Sequence, residues 1–309
     1  METPREKISK ALAKYFTNVK ESTLNSYVSV VKKLFEYSHF ISKTEPNLDN
    51  ISFEVLNDPK LVSEYIAKYQ KDYGKPMPIT THRNIYSILM KMFPDTQEFR
   101  SGFNRSVQEI KTEDPNTKSE READNWLSFA EVKAVFEREY SIYKLLLESN
   151  VPVIDITDLS NFILLAVSSG VFIPPRRSQD WTEMRIRNYT REDNYYEKGK
   201  FYFNKYKTAD TYGRQVVLLP KELNKIIKQY IKKNPNDYLI VNHSGGKLNE
   251  SGVAPRLNKI FDGKKISTTM LRHIYLSEFH KDTPSLKQME QVAHDMGHSV
   301  SMGLGYVKR

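Results

Sequence analysis

The stretch GKFYFNKYKTADTYGRQVVLLP, residues 199–220, interrupts a chain that otherwise reads as helix. Across 199–207 aromatic and polar side chains alternate, the two-residue period of a strand with one buried face. The segment 208–213 is turn-like and 214–220 resumes an extended run, so a hairpin is expected here. Upstream, the apolar run within 159–167 reads as a buried helix ending at Ser168-Ser169-Gly170. Downstream, Leu223, Ile226, Ile227, Tyr230 and Ile231 return to helical spacing, and helix dominates to Arg309. The expected fold class is mainly α with a small antiparallel β-sheet.

The first third is helical by the same criterion. Leu24, Tyr27, Val31, Leu34 and Phe35 follow a Ser22/Thr23 cap. Ile85, Ile88, Leu89 and Met92 follow Thr80/Thr81 and stop at Pro94. A shorter helix is expected over 61–69. Between 111 and 125 the sequence KTEDPNTKSEREADN carries no large apolar residue. Such a segment has no face to bury, which marks it as a linker. Three parts result: a helical domain over 1–110, a linker over 111–125, and an α+β domain over 126–309 whose first helix is capped by Ser128.

Composition narrows the function. The 309 residues include 47 Lys and Arg against 38 Asp and Glu, a net charge of +9 with a pI near 9.3. That surplus is the electrostatic footprint of a nucleic-acid binder. Mean hydropathy is −0.60 and the longest aliphatic run, 162–167, is far too short to cross a bilayer. Cysteine is absent, which removes disulfides, thiol nucleophiles and zinc-thiolate sites. The opening METPREKISK has no apolar signal region, so an intracellular location at DNA, nuclear or cytoplasmic, is expected.

Five residues carry the chemistry. Arg177 lies in PPRRSQD, Lys207 in KYKTADTYG, Arg272 in TTMLRHIYLS, His298 in MGHS and Tyr306 in GYVKR. Two arginines, a lysine, a histidine and a tyrosine suit attack on a phosphodiester. Guanidinium groups hold both non-bridging oxygens and stay charged, and a phenol is a usable covalent nucleophile once developing charge is stabilised. Lys32, Lys33 and Arg83 on the N-terminal helices, with Arg176 and Lys205, are candidate DNA contacts. His294 falls off the apolar stripe and is assigned no role. Trp126 and Trp181 are expected as core anchors.

These blocks, in this order, resemble the catalytic domain of the tyrosine recombinases (the phage-integrase superfamily). The PPRR turn and the KYKTADTYG hairpin are most similar to the branch found in Crypton-type mobile elements and large eukaryotic DNA viruses. The resemblance covers 126–309; more loosely, the N-terminal helices resemble the family's core-binding domain. It implies Arg177, Lys207, Arg272, His298 and Tyr306 as the catalytic set. Asp180, three residues after Arg177, Thr269 and His273 would be in support. Arg177 fits better than Arg176, and Lys207 better than Lys205. Two features depart from the family pattern: Thr269 stands where histidine or lysine is common, and Tyr306 follows His298 by eight positions, one fewer than usual.

The resemblance implies cleavage and rejoining of double-stranded DNA through a 3′-phosphotyrosine at Tyr306, with neither metal nor ATP, and no membrane association. Two other readings are a type IB topoisomerase and an impaired family member that only binds DNA. Three residues after Tyr306 cannot nucleate a helix. The free protein is therefore expected to be monomeric and to form a tetramer on DNA. Gly303 and Gly305 are expected to leave the nucleophile segment mobile until DNA orders it.

Overall fold

The computed structural model describes residues 2–112, 114–148 and 156–309. The chain divides into two compact units, Met1–Asp114 and Pro115–Arg309.

The first unit is helical throughout its described residues: α1 Pro4–Ala13, α2 Glu21–Ser42, α3 Pro59–Tyr73, α4 Ile79–Met92 and α5 Gln97–Thr112. Its core gathers the periodic residues of the sequence, including Val31, Leu34, Ile85, Leu89 and Phe99, all essentially inaccessible. Burying each such side chain contributes about 1.5–3 kcal/mol, which selects these helical faces. Two expected caps shift. The α2 helix starts at Glu21, where the Lys20 carbonyl accepts the N–H groups of Thr23 and Leu24. The α4 helix starts after Pro78, whose carbonyl accepts from Thr81 and His82. In both places extended backbone supplies the acceptor that the threonine and serine hydroxyls were expected to supply.

The second unit holds α6 Glu120–Asn125, α7 Phe129–Glu148, α8 Ile156–Ser168, α9 Ser178–Thr182, β1 Met184–Arg185, β2 Asn194–Glu197, β3 Lys200–Phe203, α10 Ala209–Tyr212, β4 Gln215–Leu218, α11 Lys221–Lys233, α12 Glu250–Ile260, α13 Thr268–Phe279, α14 Leu286–Met296 and α15 Val300–Leu304. Helix α8 is buried on nearly every side, as its uniform apolarity requires. Ser128 and Glu131 form the expected reciprocal cap of α7, at 2.7 and 3.2 Å. The stretch 111–125 is not all linker. It contains the end of α5 and the whole of α6, which is capped by Ser119 and Glu122. Glu113 lies outside the described residues.

The sheet has the order β1-β2-β3-β4, parallel between β1 and β2 and antiparallel elsewhere. The expected pairing of β3 with β4 is present, with Phe201 opposite Val217 and Phe203 opposite Gln215. Sequence periodicity missed β2, because Tyr195 and Tyr196 are both buried and a strand covered on both faces does not alternate. The β2–β3 turn uses Lys198 and Gly199 at φ 48° and 79°, the left-handed pair that matches strand twist in a two-residue hairpin. Phe201 and Phe203 pack edge-on to the fully buried Trp181 of α9, which fixes the sheet beneath the PPRR turn.

Candidate active site

Pro174 and Pro175 hold the chain extended into Arg177, which is the N-cap of α9 at φ −73° and ψ 157°. Successive side chains of an extended segment point to opposite sides, and the two arginines therefore part. Arg176 turns inward and is only 1% exposed. Its Nε donates to Asp180 at 2.6 Å, and its Nη1 donates to Gln215 at 3.0 Å and to the Asp295 carbonyl at 2.7 Å. The guanidinium also lies 3.9 Å over the Phe203 ring. The expectation that Arg176 contacts DNA is thus corrected, since a guanidinium enclosed on all sides presents no face to a phosphate. Asp180 likewise pairs with Arg176 and not with Arg177, because the i,i+4 position brings it under the inward chain. Burial pushes the Asp180 carboxyl pKa up, against the pull of Arg176.

Arg177 turns to the other side. Its Nη1 donates to the Gly297 carbonyl at 3.1 Å and its Nη2 lies 3.9 Å from Met302 Sδ. Thr208 Oγ donates to that same Gly297 carbonyl at 2.9 Å. Gly297 therefore joins the PPRR turn, the β3–β4 connection and the C-terminal helices. It ends α14 at φ 70°, and a Cβ added there would stand 2.7 Å from Arg176 Nη2. Alanine at 297 combines a left-handed backbone with a clash against an arginine anchored at several points. We expect destabilisation of about 2–4 kcal/mol, read from the denaturant midpoint at unchanged slope.

Arg272, on α13, is completely buried. One nitrogen, Nη1, donates to the carbonyls of Pro175 and Met296, each at 3.2 Å, while Nε and Nη2 have no hydrogen-bond partner. Burial lowers its pKa, with the Tyr306 phenol opposing and Arg177 adding to the fall. The group remains a cation at neutral pH. The Tyr306 ring sits 4.5 Å from this guanidinium.

His298 also stacks on the Tyr306 ring, with centroids 5.7 Å apart and planes within 16°. Its Nδ1 donates to the Ser299 carbonyl at 2.8 Å. Burial first, then Arg272, brings its pKa down to about 4. At neutral pH the imidazole is uncharged, and Nε2, which is buried and has no partner, carries the lone pair. A Cβ at Gly303 would come 3.1 Å from the imidazole Cε1, so any larger residue there would push the ring by a few tenths of an ångström.

Tyr306 follows α15 directly. Its N–H donates to the Gly303 carbonyl at 3.0 Å, and its carbonyl accepts from His273 Nδ1 at 2.8 Å. Four of the five expected residues, Arg177, Arg272, His298 and Tyr306, thus share one locus. The expected looseness of the Tyr306 segment is not what the structure contains, because 304–309 is hydrogen-bonded to other parts of its unit. Lys207 stands apart. It is exposed on the connection after β3, and it reaches the locus only through its neighbour Thr208. Lys205 pairs with Asp193 at 2.7 Å. Thr269 is exposed in the first turn of α13. In the first unit Lys33 and Arg83 are exposed, and Lys32 faces Glu36 at 3.4 Å. Sequence reading missed Thr208, Gln215 and Gly297, whose parts depend on tertiary contacts. Only the glycine before His298 gave a local signal.

No family model matches the chain, and no curated protein matches it. Solved structures do. A lambda integrase (75–356) dimer bound to a COC′ core site aligns with 98% of this chain and 93% of its own, at TM-score 0.53 and 16% identity. A lambda integrase tetramer bound to a Holliday junction aligns with 99% of this chain and 76% of its own, at TM-score 0.54 and 15% identity. Lambda integrase residues 75–356 bound to DNA align at TM-score 0.52 and 12% identity, over 97% and 94%. The chain has the fold of these integrases.

Proposed function

We propose that this protein is a tyrosine recombinase that cuts and rejoins double-stranded DNA, nearest on its PPRR block to the Crypton-like branch. One observation carries the reading. Arg272 Nε and Nη2 and His298 Nε2 are buried without partners, and both side chains pack against one tyrosine ring. Orphaned buried polar atoms are rare in folded proteins. Two cationic N–H donors of Arg272 and an imidazole lone pair on His298, left open beside a phenol, fit a site awaiting an anion and a proton transfer. A phosphodiester brings that anion to a nucleophile.

In this mechanism the Tyr306 oxygen attacks the scissile phosphorus, a P–O bond to the 3′ side is retained as phosphotyrosine, and the 5′ oxygen leaves. Arg272 and Arg177 neutralise the non-bridging oxygens as charge accumulates. His298, neutral with its lone pair on Nε2, takes the phenol proton and keeps it as an imidazolium that hydrogen-bonds a phosphate oxygen. The proton returns to the phenol when the 5′-hydroxyl attack reverses the step. Lys207 protonates the leaving 5′ oxygen, which requires its connection to close over bound DNA. Attack by another 5′-hydroxyl reverses each bond change on the new partner. The fold's likeness to DNA-bound lambda integrase dimers and tetramers supports duplex DNA as the partner and assembly of a tetramer on it.

The test uses a pool of nicked duplexes of random sequence, resolved on denaturing gels in the presence of EDTA. A protein–DNA adduct bearing a free 5′-hydroxyl is the expected product. Absence of any adduct, or dependence on magnesium, refutes the reading. Supercoil relaxation by the monomer without strand exchange would place the same chemistry with type IB topoisomerases. Affinity should also fall linearly on a log–log scale with salt, by about −0.9 per phosphate neutralised. A flat salt dependence contradicts a phosphate-dominated interface.

A further inference from the structure

We propose that the segment 115–122 is a latch that fixes the register of the Tyr306 segment, with Asn116 as the positioning residue. The inference rests on the active-site reading above. Sequence gave this segment no task beyond linking, yet its contacts converge on the four residues around the nucleophile. Asn116 Nδ2 donates to the Val307 carbonyl at 2.6 Å and to the Leu304 carbonyl at 3.3 Å. Its own carbonyl accepts the Arg309 N–H at 2.8 Å. The chain before Tyr306 and the chain after it are thus tied to one carboxamide.

A second tie runs through Lys308. Its ammonium donates to the carbonyls of Pro115 and Thr117 at 2.8 and 3.1 Å and lies 3.6 Å from Glu122. Its N–H donates to Ser277 Oγ at 2.8 Å, which anchors the same stretch to α13, the helix that carries Arg272. Glu122 in turn lies 3.5 Å from His273, whose other ring nitrogen holds the Tyr306 carbonyl. The latch is itself fixed at its far end, where Ser119 and Glu122 cap α6 and Lys118 lies 4.5 Å over Trp126. Backbone carbonyls on both sides of Tyr306 are therefore held by donors from 115–122 and α13. The phenol keeps its place over Arg272 because the backbone beneath it has little freedom to slide.

Asn116→Asp discriminates this from a loose surface contact. Aspartate has nearly the same shape but no N–H donor, so it sets a carboxylate against two carbonyl oxygens. Both measurements use the full chain, with a thermal melt as the check that Asn116→Asp folds. Amide hydrogen exchange over 307–309 should be faster by at least about tenfold, the effect of losing about 1.4 kcal/mol of protection. Single-turnover adduct formation should fall by about 10²-fold, as for an ångström-scale misplacement of a reacting group, while duplex affinity stays within about threefold. Asn116→Gln, which keeps the donor on a longer arm, should recover part of the cleavage rate.

Unchanged exchange overturns the latch. Faster exchange with unchanged cleavage overturns its positioning role, as does a parallel loss of affinity and rate. Failure of the active-site reading is told apart because wild-type protein would then form no adduct while exchange still responds to Asn116→Asp.

Discussion

Phenylalanine at position 306 abolishes the covalent protein–DNA adduct and leaves duplex binding within about twofold of wild type. The change removes one oxygen. The ring that stacks on His298 and covers Arg272 is kept, so the packing of α15 and the hold of His273 on the 306 carbonyl persist. Binding draws on phosphate contacts spread over the protein, and a single phenol supplies little of that total. Neither side chain that packs on the ring replaces the phenol, because Arg272 stays protonated and a neutral imidazole attached to phosphorus would give a labile phosphoramidate. Quantitative gel trapping on a nicked duplex measures the first effect and filter binding the second. An adduct that persists with phenylalanine at 306 assigns the nucleophile elsewhere.

Alanine at 272 slows adduct formation by about 10²- to 10³-fold, the typical cost of removing one preorganised donor to a developing oxyanion. The reason lies in how the guanidinium is held. Nη1 is fixed by two carbonyls, so Nε and Nη2 are aimed before substrate arrives and need no reorganisation during the reaction. Lysine at 272 does not restore the rate, because one ammonium cannot both satisfy those carbonyls and reach two phosphate oxygens. Alanine at 177 has an effect of the same kind, since Arg177 is anchored to Gly297 by a single nitrogen. Loss of the two Arg272 hydrogen bonds also destabilises the fold, so rates are compared well below each variant's melting temperature. Affinity should change far less than rate. Losses of equal size in both would make these arginines binding clamps with no special role in the transition state.

The sequence by itself determined the longer helices, the pairing of β3 with β4 and the chemical inventory. Helical spacing of Val31, Leu34 and Leu89 follows from burial of one helical face, a short-range property that survives any arrangement of helices. The alternation across 199–207 and the apolarity of 159–167 are of the same kind. The helix formed where expected, whereas the strand stops at Phe203 and the expected turn contains the short helix α10. Residue type showed that two arginines, a lysine, a histidine and a tyrosine suit a phosphodiester. The family resemblance of the ordered blocks singled out Arg177, Arg272, His298 and Tyr306 as the candidates.

Tertiary structure decided what spacing cannot express. In PPRR the resemblance favoured Arg177 over Arg176 but gave no physical reason for the choice. The placement of Asp180, Gln215 and the Asp295 carbonyl on one side of an extended turn supplies it, since these groups hold Arg176 inward. The strand β2 escaped notice because burial on both faces erases its period. The tasks of Gly297, which hydrogen-bonds Arg177 and Thr208, and of Asn116, which holds carbonyls nearly two hundred positions away, exist only once distant backbone is brought together. A hydrogen bond between distant segments leaves no periodic trace in either of them, since its geometry is set by the packing of the elements in between.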